Sequence, residues 1–212
     1  VILASVVTDF TDWLEEVSGA WWFLILVFAI AFLDSVIPIV PSETTVILGG
    51  IAAGLGNQPL WAVIALGAAG AFLGDNFAYE LGERAGPWIE RRYGRSPKGA
   101  ARLAWARSQL QARGALLLIT GRFIPGGRTI LTLTSGITRQ PRRRFMIAIA
   151  VAACIWATYA AVLGYSFGDR FKDDHTRAFV LAFATALSIT VLIEVVRYVY
   201  VHRWKARRAT AS

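Results

Sequence analysis

The sequence predicts an all-α polytopic membrane protein: about four transmembrane helices and two opposed re-entrant helical hairpins in an inverted repeat, with amphipathic surface helices. Three observations predict it. Long apolar runs carry no charge, two further apolar stretches are broken by Pro and Gly, and basic residues gather in a few short segments. The 212 residues are 56% apolar and 17% charged, with 22 Lys and Arg against 14 Asp and Glu for a net charge of +8. Mean hydropathy is +0.51. These values exclude a disordered tail, a collagen-like chain and a disulfide-stapled module. The one cysteine, Cys154, lies in an apolar run and builds neither a disulfide nor a metal site alone. No metal or other cofactor is expected, and no secretory signal is evident, since residues 1–19 lack a basic leading region.

A spanning helix needs about 20 mainly apolar residues. Residues 145–168 carry no charge, and residues 178–193 run on to a basic tail, so a final span is expected over 177–201. Residues 20–33 are uncharged but stop at Asp34, and residues 61–82 are interrupted by Asp75, Asn76 and Glu80. These two read as spans with polar intrusions. The broken stretches are shorter. Residues 115–124 meet Pro125, Gly126 and Gly127, and residues 129–138 follow; each ten-residue arm is about 15 Å of helix. Pro38 and Pro41 make a similar break before Ser42–Leu55. The expected hairpins lie near 34–56 and 115–138, with tips in the bundle interior, because unwound backbone at membrane depth needs protein or a water-filled cavity to satisfy it. Gly50-Ile51 and Gly136-Ile137, followed by Tyr79–Gly82 and Tyr159–Gly164, suggest that the halves repeat.

Orientation follows the Lys and Arg counts. Residues 83–114 carry eight, 139–144 carry four and the tail from Arg197 carries five, which assigns these segments to the cytoplasm. Parity over four spans then puts both termini inside, against the mild objection that residues 1–19 hold Asp9, Asp12, Glu15 and Glu16. The organisation expected is a single membrane domain over 1–212: an N-terminal amphipathic segment 1–19, a core 20–170, the last span, and a basic tail 202–212. Residues 98–113 read as a helix on the cytoplasmic surface. Trp21, Trp22, Trp61, Trp88, Trp105 and Trp204 read as interfacial anchors.

Charges inside the membrane carry the functional signal. Asp34, Glu43, Arg122 and Arg128 flank the two breaks, and unpaired they would cost about 10 to 14 kcal/mol in total. They should face one another or water. The bland reading is that they only lock the hairpins together; intramembrane charges are functional by default. Ser42 suits an N-cap, with Glu43 in the first turn after it, while Gly126 and Gly127 leave amides free at the start of the helix bearing Arg128. Arg122 and Arg128 together match a phosphate, whose oxygens guanidinium groups bind in pairs. Asp34 and Glu43 are the candidates for proton exchange or ion pairing. Asp75, Asn76, Tyr79 and Glu80 stand second, as caps of a half-helix or as substrate contacts. His175 and His202 fall in flanking segments and read as solvated.

Phe32-Leu33-Asp34, Pro41-Ser42-Glu43, Gly74-Asp75 with Tyr79, Gly82 and Gly86, and Gly121-Arg122-Phe123-Ile124-Pro125 with Arg128 and Gly136 resemble the DedA family of bacterial membrane proteins, also called the SNARE-associated or VTT-domain family. The resemblance covers residues 20–170. It implies paired re-entrant hairpins and lipid movement between leaflets of the bacterial cytoplasmic membrane. It further implies proton-linked acidic residues at Asp34 and Glu43 and essential arginines at Arg122 and Arg128. Asp34 stands where the family also uses Glu, Glu43 stands where Asp is common, and their spacing is short. The function expected is transport of a polyprenyl phosphate of the undecaprenyl-phosphate type, coupled to protons. The alternative is a phospholipid scramblase or flippase, for example for phosphatidylethanolamine, without coupling. A membrane phosphatase lacks an intramembrane His and a base for Cys154. In a purely structural protein the same charges would matter only to folding. The partners expected are lipid and membrane, with no nucleic acid. Gly67, Gly70 and Gly74 suit helix packing within one chain or between copies.

Overall fold

The computed structural model describes residues 20–37, 42–93, 95–122 and 127–170. Among these residues the chain is all helical: α1 (Phe23–Val36), α2 (Ser42–Gly54), α3 (Leu60–Tyr93), α4 (Pro97–Gly121), α5 (Gly127–Ile137) and α6 (Arg142–Arg170). The expected final span, the basic tail, residues 1–19, Gly126, His175 and His202 lie outside the described residues. Two described helices, Leu60–Arg92 and Arg142–Arg170, are long and apolar enough to cross a membrane. α1 has 14 residues, about 21 Å of helix, which is shorter than a hydrocarbon core of about 30 Å. Most of residues 20–33, read as a span, thus fall in a helix shorter than that core. Its end is set by Pro38: Ile37 takes φ −118, ψ 97, the extended conformation that a following proline imposes.

α4 is two helices in one. Ser96 caps its start by accepting from the Gly99 amide at 3.1 Å, with Pro97 in the first turn. At Arg113 the backbone leaves helical geometry (φ −139, ψ 23). Gln140 donates its side-chain amide to the Leu110 carbonyl at 3.1 Å, within the turn next to this kink. A Cβ on residue 114 would meet the end of that Gln140 side chain, which would have to swing away and give up this bond. Beyond the kink, residues 114–121 form a short inner arm.

Close backbone contacts define the topology. Gly70 and Gly74 face the carbonyls of Phe28 and Phe32, so α1 runs parallel to α3. Gly164 and Gly168 face those of Ile47 and Ile51, so α2 runs parallel to α6. Gly82 and Gly86 do the same with Leu133 and Ile137, which aligns α5 with α3. Each half therefore lends one short helix to the long helix of the other half, through small residues that let backbones meet. Ala20 accepts from the Gln58 side chain at 3.0 Å, so the start of the described chain and the α2–α3 turn share one end of the bundle.

Small residues fill much of the interior, beside larger ones such as Phe145 and Ile149, and large apolar side chains also cover the exterior. Ala31, Ala71, Ala157, Ala160 and Ala161 are buried completely, while Phe77, Ile130, Ile147 and Ile155 are exposed. On α5 the buried face is polar, with Thr129, Thr132 and Ser135 inside and Ile130 outside. This inverts the order of a water-soluble bundle and suits a hydrocarbon surround. Trp61 and Trp88 are both exposed on α3. They stand 27 residues apart in the sequence, about 40 Å along the helix, close to the full thickness of a bilayer with its headgroups.

Candidate functional site

Asp75 lies midway between those tryptophans, about 20 Å from each along the helix axis, and around it every helix contributes a side chain. Asp34 comes from the last turn of α1, Ser42 from the first of α2, Arg122 from just beyond α4, Arg128 from the start of α5 and Trp156 from the middle of α6. The two breaks in the chain bring these groups together because each releases a helix end at the same depth.

Arg122 Nη1 lies 2.7 Å from Asp75 Oδ2, and their side chains are only 2% and 1% exposed. Trp156 covers the guanidinium, with Arg122 Cζ 5.0 Å from its ring centroid. Arg128 bridges the two acids, with Nη2 3.0 Å from Asp34 Oδ2 and Nε 3.6 Å from Asp75 Oδ1. Arg128 is 11% and Asp34 20% exposed, so the cluster is sealed at Arg122 and partly open at Asp34. The Arg128 to Asp34 contact is close but poorly aligned: Nη2 makes no hydrogen bond among the described residues. Nε and Nη2 of Arg122 and Oδ1 of Asp75 are likewise buried without a hydrogen-bond partner there. Buried charged groups left with unmet donors are costly. The set is built for one more acceptor.

Neighbouring hydroxyls hold the frame. Ser42 donates to Asp34 Oδ2. It stands as the first residue of α2, and its hydroxyl serves the aspartate in place of the N-cap expected from its position after Pro41. Ser35 donates to the carbonyls of Ala31 and Ala71 at 3.2 and 3.3 Å, and Thr129 donates to the Ser35 carbonyl at 3.3 Å. These bonds tie the end of α1 to α3 and α5. Glu43 is half-buried and pairs with no cation among the described residues, yet it lies near enough to Asp34, Arg128 and Tyr159 to interact electrostatically with each. Gly127 opens α5 and is half-buried.

The second-tier residues divide. Asp75 is at the centre. Asn76 only donates back to the Phe72 carbonyl at 2.8 Å. Tyr79 and Glu80 belong to a separate layer one turn further along α3: the Tyr79 hydroxyl donates to the Gln140 carbonyl at 2.7 Å, and Arg142 pairs with Glu80 at 2.6 Å while lying over the Tyr79 ring. Trp156 was not among the residues singled out from the sequence. Its signal was position, since a tryptophan in the middle of an uncharged span is no interfacial anchor. Among the described residues no group of His, Cys, Asp and Glu could hold a metal ion.

The fold and this site define a helical bundle of membrane type with a buried ionic centre at half its depth. The VTT domain family matches residues 37–166, and the chain belongs to that family, the DedA family. It is similar to an uncharacterized membrane protein of Synechocystis, 30% identical over 190 residues that cover 89% of this chain and 85% of the relative. It is also similar to undecaprenyl phosphate transporter A of Bacillus subtilis, 24% identical over 172 residues (81% and 82%), and to protein DedA of Escherichia coli, 23% identical over 197 residues (90% and 88%). No solved structure matches significantly.

Proposed function

We propose that the chain is a lipid transporter of the cytoplasmic membrane that carries a polyprenyl phosphate of the undecaprenyl-phosphate type between leaflets, coupled to protons. One observation carries the reading: two arginines with buried, unmet donors stand at mid-depth, one of them held by a partly exposed, misaligned carboxylate. A phosphate monoester supplies the oxygens those donors lack, while its lipid tail stays in the bilayer. The relative in Bacillus subtilis that is named for undecaprenyl phosphate transport supports the substrate class.

Charge balance supports the coupling. Asp34, Glu43 and Asp75 face Arg122 and Arg128, three acids against two bases, so a fully ionised cluster repels an anion. Protonation of either Asp34 or Glu43 removes that repulsion, and protonation of Asp34, the acid that holds Arg128, also frees that arginine for the phosphate. Ser42 and Gly127 then complete the headgroup site with a hydroxyl and a helix-start amide, and the sequence puts Gly126 next to Gly127 in the chain. The relatives with a functional name are transporters and not enzymes.

In the topology that goes with this reading, α1–α2 and the inner arm of α4 with α5 are re-entrant hairpins entering from opposite faces, and α3, α6 and the segment 177–201 cross. The basic segments 83–114 and 139–144 are cytoplasmic. Ala20, beside Gln58, is then at the outer face, opposite to the side that parity over four spans expects for the N-terminal end, and the lack of Lys and Arg in residues 1–19 agrees with the charge rule.

Thermal unfolding of the purified protein with a short-chain polyprenyl phosphate, across pH 5.5 to 8, tests the reading. Stabilisation of the wild type that Arg128→Ala loses while remaining folded supports it. Equal stabilisation by phosphatidylethanolamine would replace it with a general phospholipid scramblase.

A further inference from the structure

We propose that the Nε–Nη2 edge of Arg122 is the fixed receptor for the phosphate oxyanion and that Trp156 is the residue that positions it. The inference rests on the lipid-phosphate reading above and divides the work of the two arginines.

A guanidinium carries its five N–H groups along three edges of one plane. In Arg122 the Nη1 end is taken by Asp75 at 2.7 Å. Nε and Nη2, the two atoms that present parallel N–H groups to a pair of oxygens, are both buried and have no hydrogen-bond partner among the described residues. With one end fixed by Asp75, rotation about that bond is the freedom that remains. The Trp156 ring, with Arg122 Cζ over it at 5.0 Å from the centroid, limits that rotation by packing against the guanidinium. The surroundings of Trp156 argue that it is placed for this contact. From Ala152 onward, every other buried residue of α6 is Ala or Gly. A single large ring in that face, 4% exposed, stands against Arg122.

Arg128 is arranged differently. It is shared by two carboxylates, is more exposed than Arg122, and holds Asp34 through a misaligned contact. It is the arginine that changes partners during transport; Arg122 keeps Asp75 and meets the ligand with the opposite edge. The ligand class is a phosphate monoester oxyanion, whether on a prenyl lipid or as free phosphate.

The test uses the full chain in detergent and titrates farnesyl phosphate, farnesol and inorganic phosphate into the wild type, Trp156→Phe, Trp156→Leu, Arg122→Lys and Arg128→Ala, with ligand-free unfolding midpoints measured in parallel. The expected result is binding of farnesyl phosphate and not farnesol by the wild type. Trp156→Leu weakens it about tenfold and Trp156→Phe less, with no matching order in the ligand-free midpoints. Arg122→Lys, which keeps the charge and loses the paired edge, binds as poorly as Trp156→Leu. Competition by inorganic phosphate supports a receptor for the oxyanion alone; its failure, with farnesyl phosphate still bound, supports a lipid headgroup. Wild-type affinity in Trp156→Leu and Arg122→Lys, alongside loss in Arg128→Ala, overturns this inference and leaves the transport reading standing. No binding of farnesyl phosphate by the wild type overturns both.

Discussion

Arg122 and Asp75 are 47 positions apart in the chain and meet at 2.7 Å with both side chains buried. Removing one partner leaves the other charged and unpaired at mid-depth, which costs about 3 to 5 kcal/mol in buried pairs. Asp75→Ala is therefore expected to lower the unfolding midpoint markedly. The double variant Arg122→Met, Asp75→Ala should recover much of the loss, because neither charge remains. Thermal unfolding of the four proteins in a double-mutant cycle measures the coupling.

The Gly contacts between halves make a second expectation. A Cβ at Gly50 would overlap the Ala161 carbonyl, and one at Gly136 the Tyr79 carbonyl, both backbone atoms that cannot rotate away. Gly50→Ala and Gly136→Ala should each destabilise by about 1 to 3 kcal/mol through overpacking. Gly67→Ala meets nothing nearer than 3.4 Å and serves as the tolerated control in the same unfolding assay.

Cys154 is exposed on α6 and lies 12 residues beyond Arg142, about 18 Å along the helix from the basic end. A spin label on this one cysteine should collide with oxygen and be shielded from a water-soluble nickel chelate in a bilayer. Strong contact with the chelate would mean that this face of α6 meets water.

Gln140 links the kinked surface helix to the core through the Leu110 carbonyl. Gln140→Ala should loosen residues 97–113 without disturbing the ionic centre. Hydrogen exchange checks this: protection is expected to fall in that segment and to stay unchanged around Asp75 and Arg122.

Much of this arrangement was legible in the residues because membrane burial makes charges conspicuous. Asp34, Arg122 and Arg128 stood out at the breaks, and the structure brings all three together with Asp75. Asp75 ranked second because a carboxylate inside a long helix shows no break, and only three-dimensional packing reveals that α3 carries it to the depth where the breaks meet. Glu43 lies near the cluster without an ion pair. The repeat was visible as Gly50-Ile51 and Gly136-Ile137, but the exchange of α2 and α5 between halves depends on backbone approach, which no periodicity encodes. Residues 20–33 read as a span because their apolar run carries no charge, whereas the helix that holds most of them has 14 residues and stops at Val36 before Pro38. Trp156 was overlooked since its partner, Arg122, comes from another helix.

In the proposed mechanism the paired hairpins move a phosphate lipid using Arg122 and Arg128 with proton uptake. The most direct measurement is flipping of a fluorescent short-chain polyprenyl phosphate in proteoliposomes with and without an imposed pH gradient, for the wild type and for Arg122→Lys and Arg128→Lys. The account predicts gradient-dependent movement by the wild type and its loss in both lysine variants, which keep charge but not the paired donors. Movement that ignores the gradient and survives both substitutions, or that is equally fast for phosphatidylethanolamine, would contradict it.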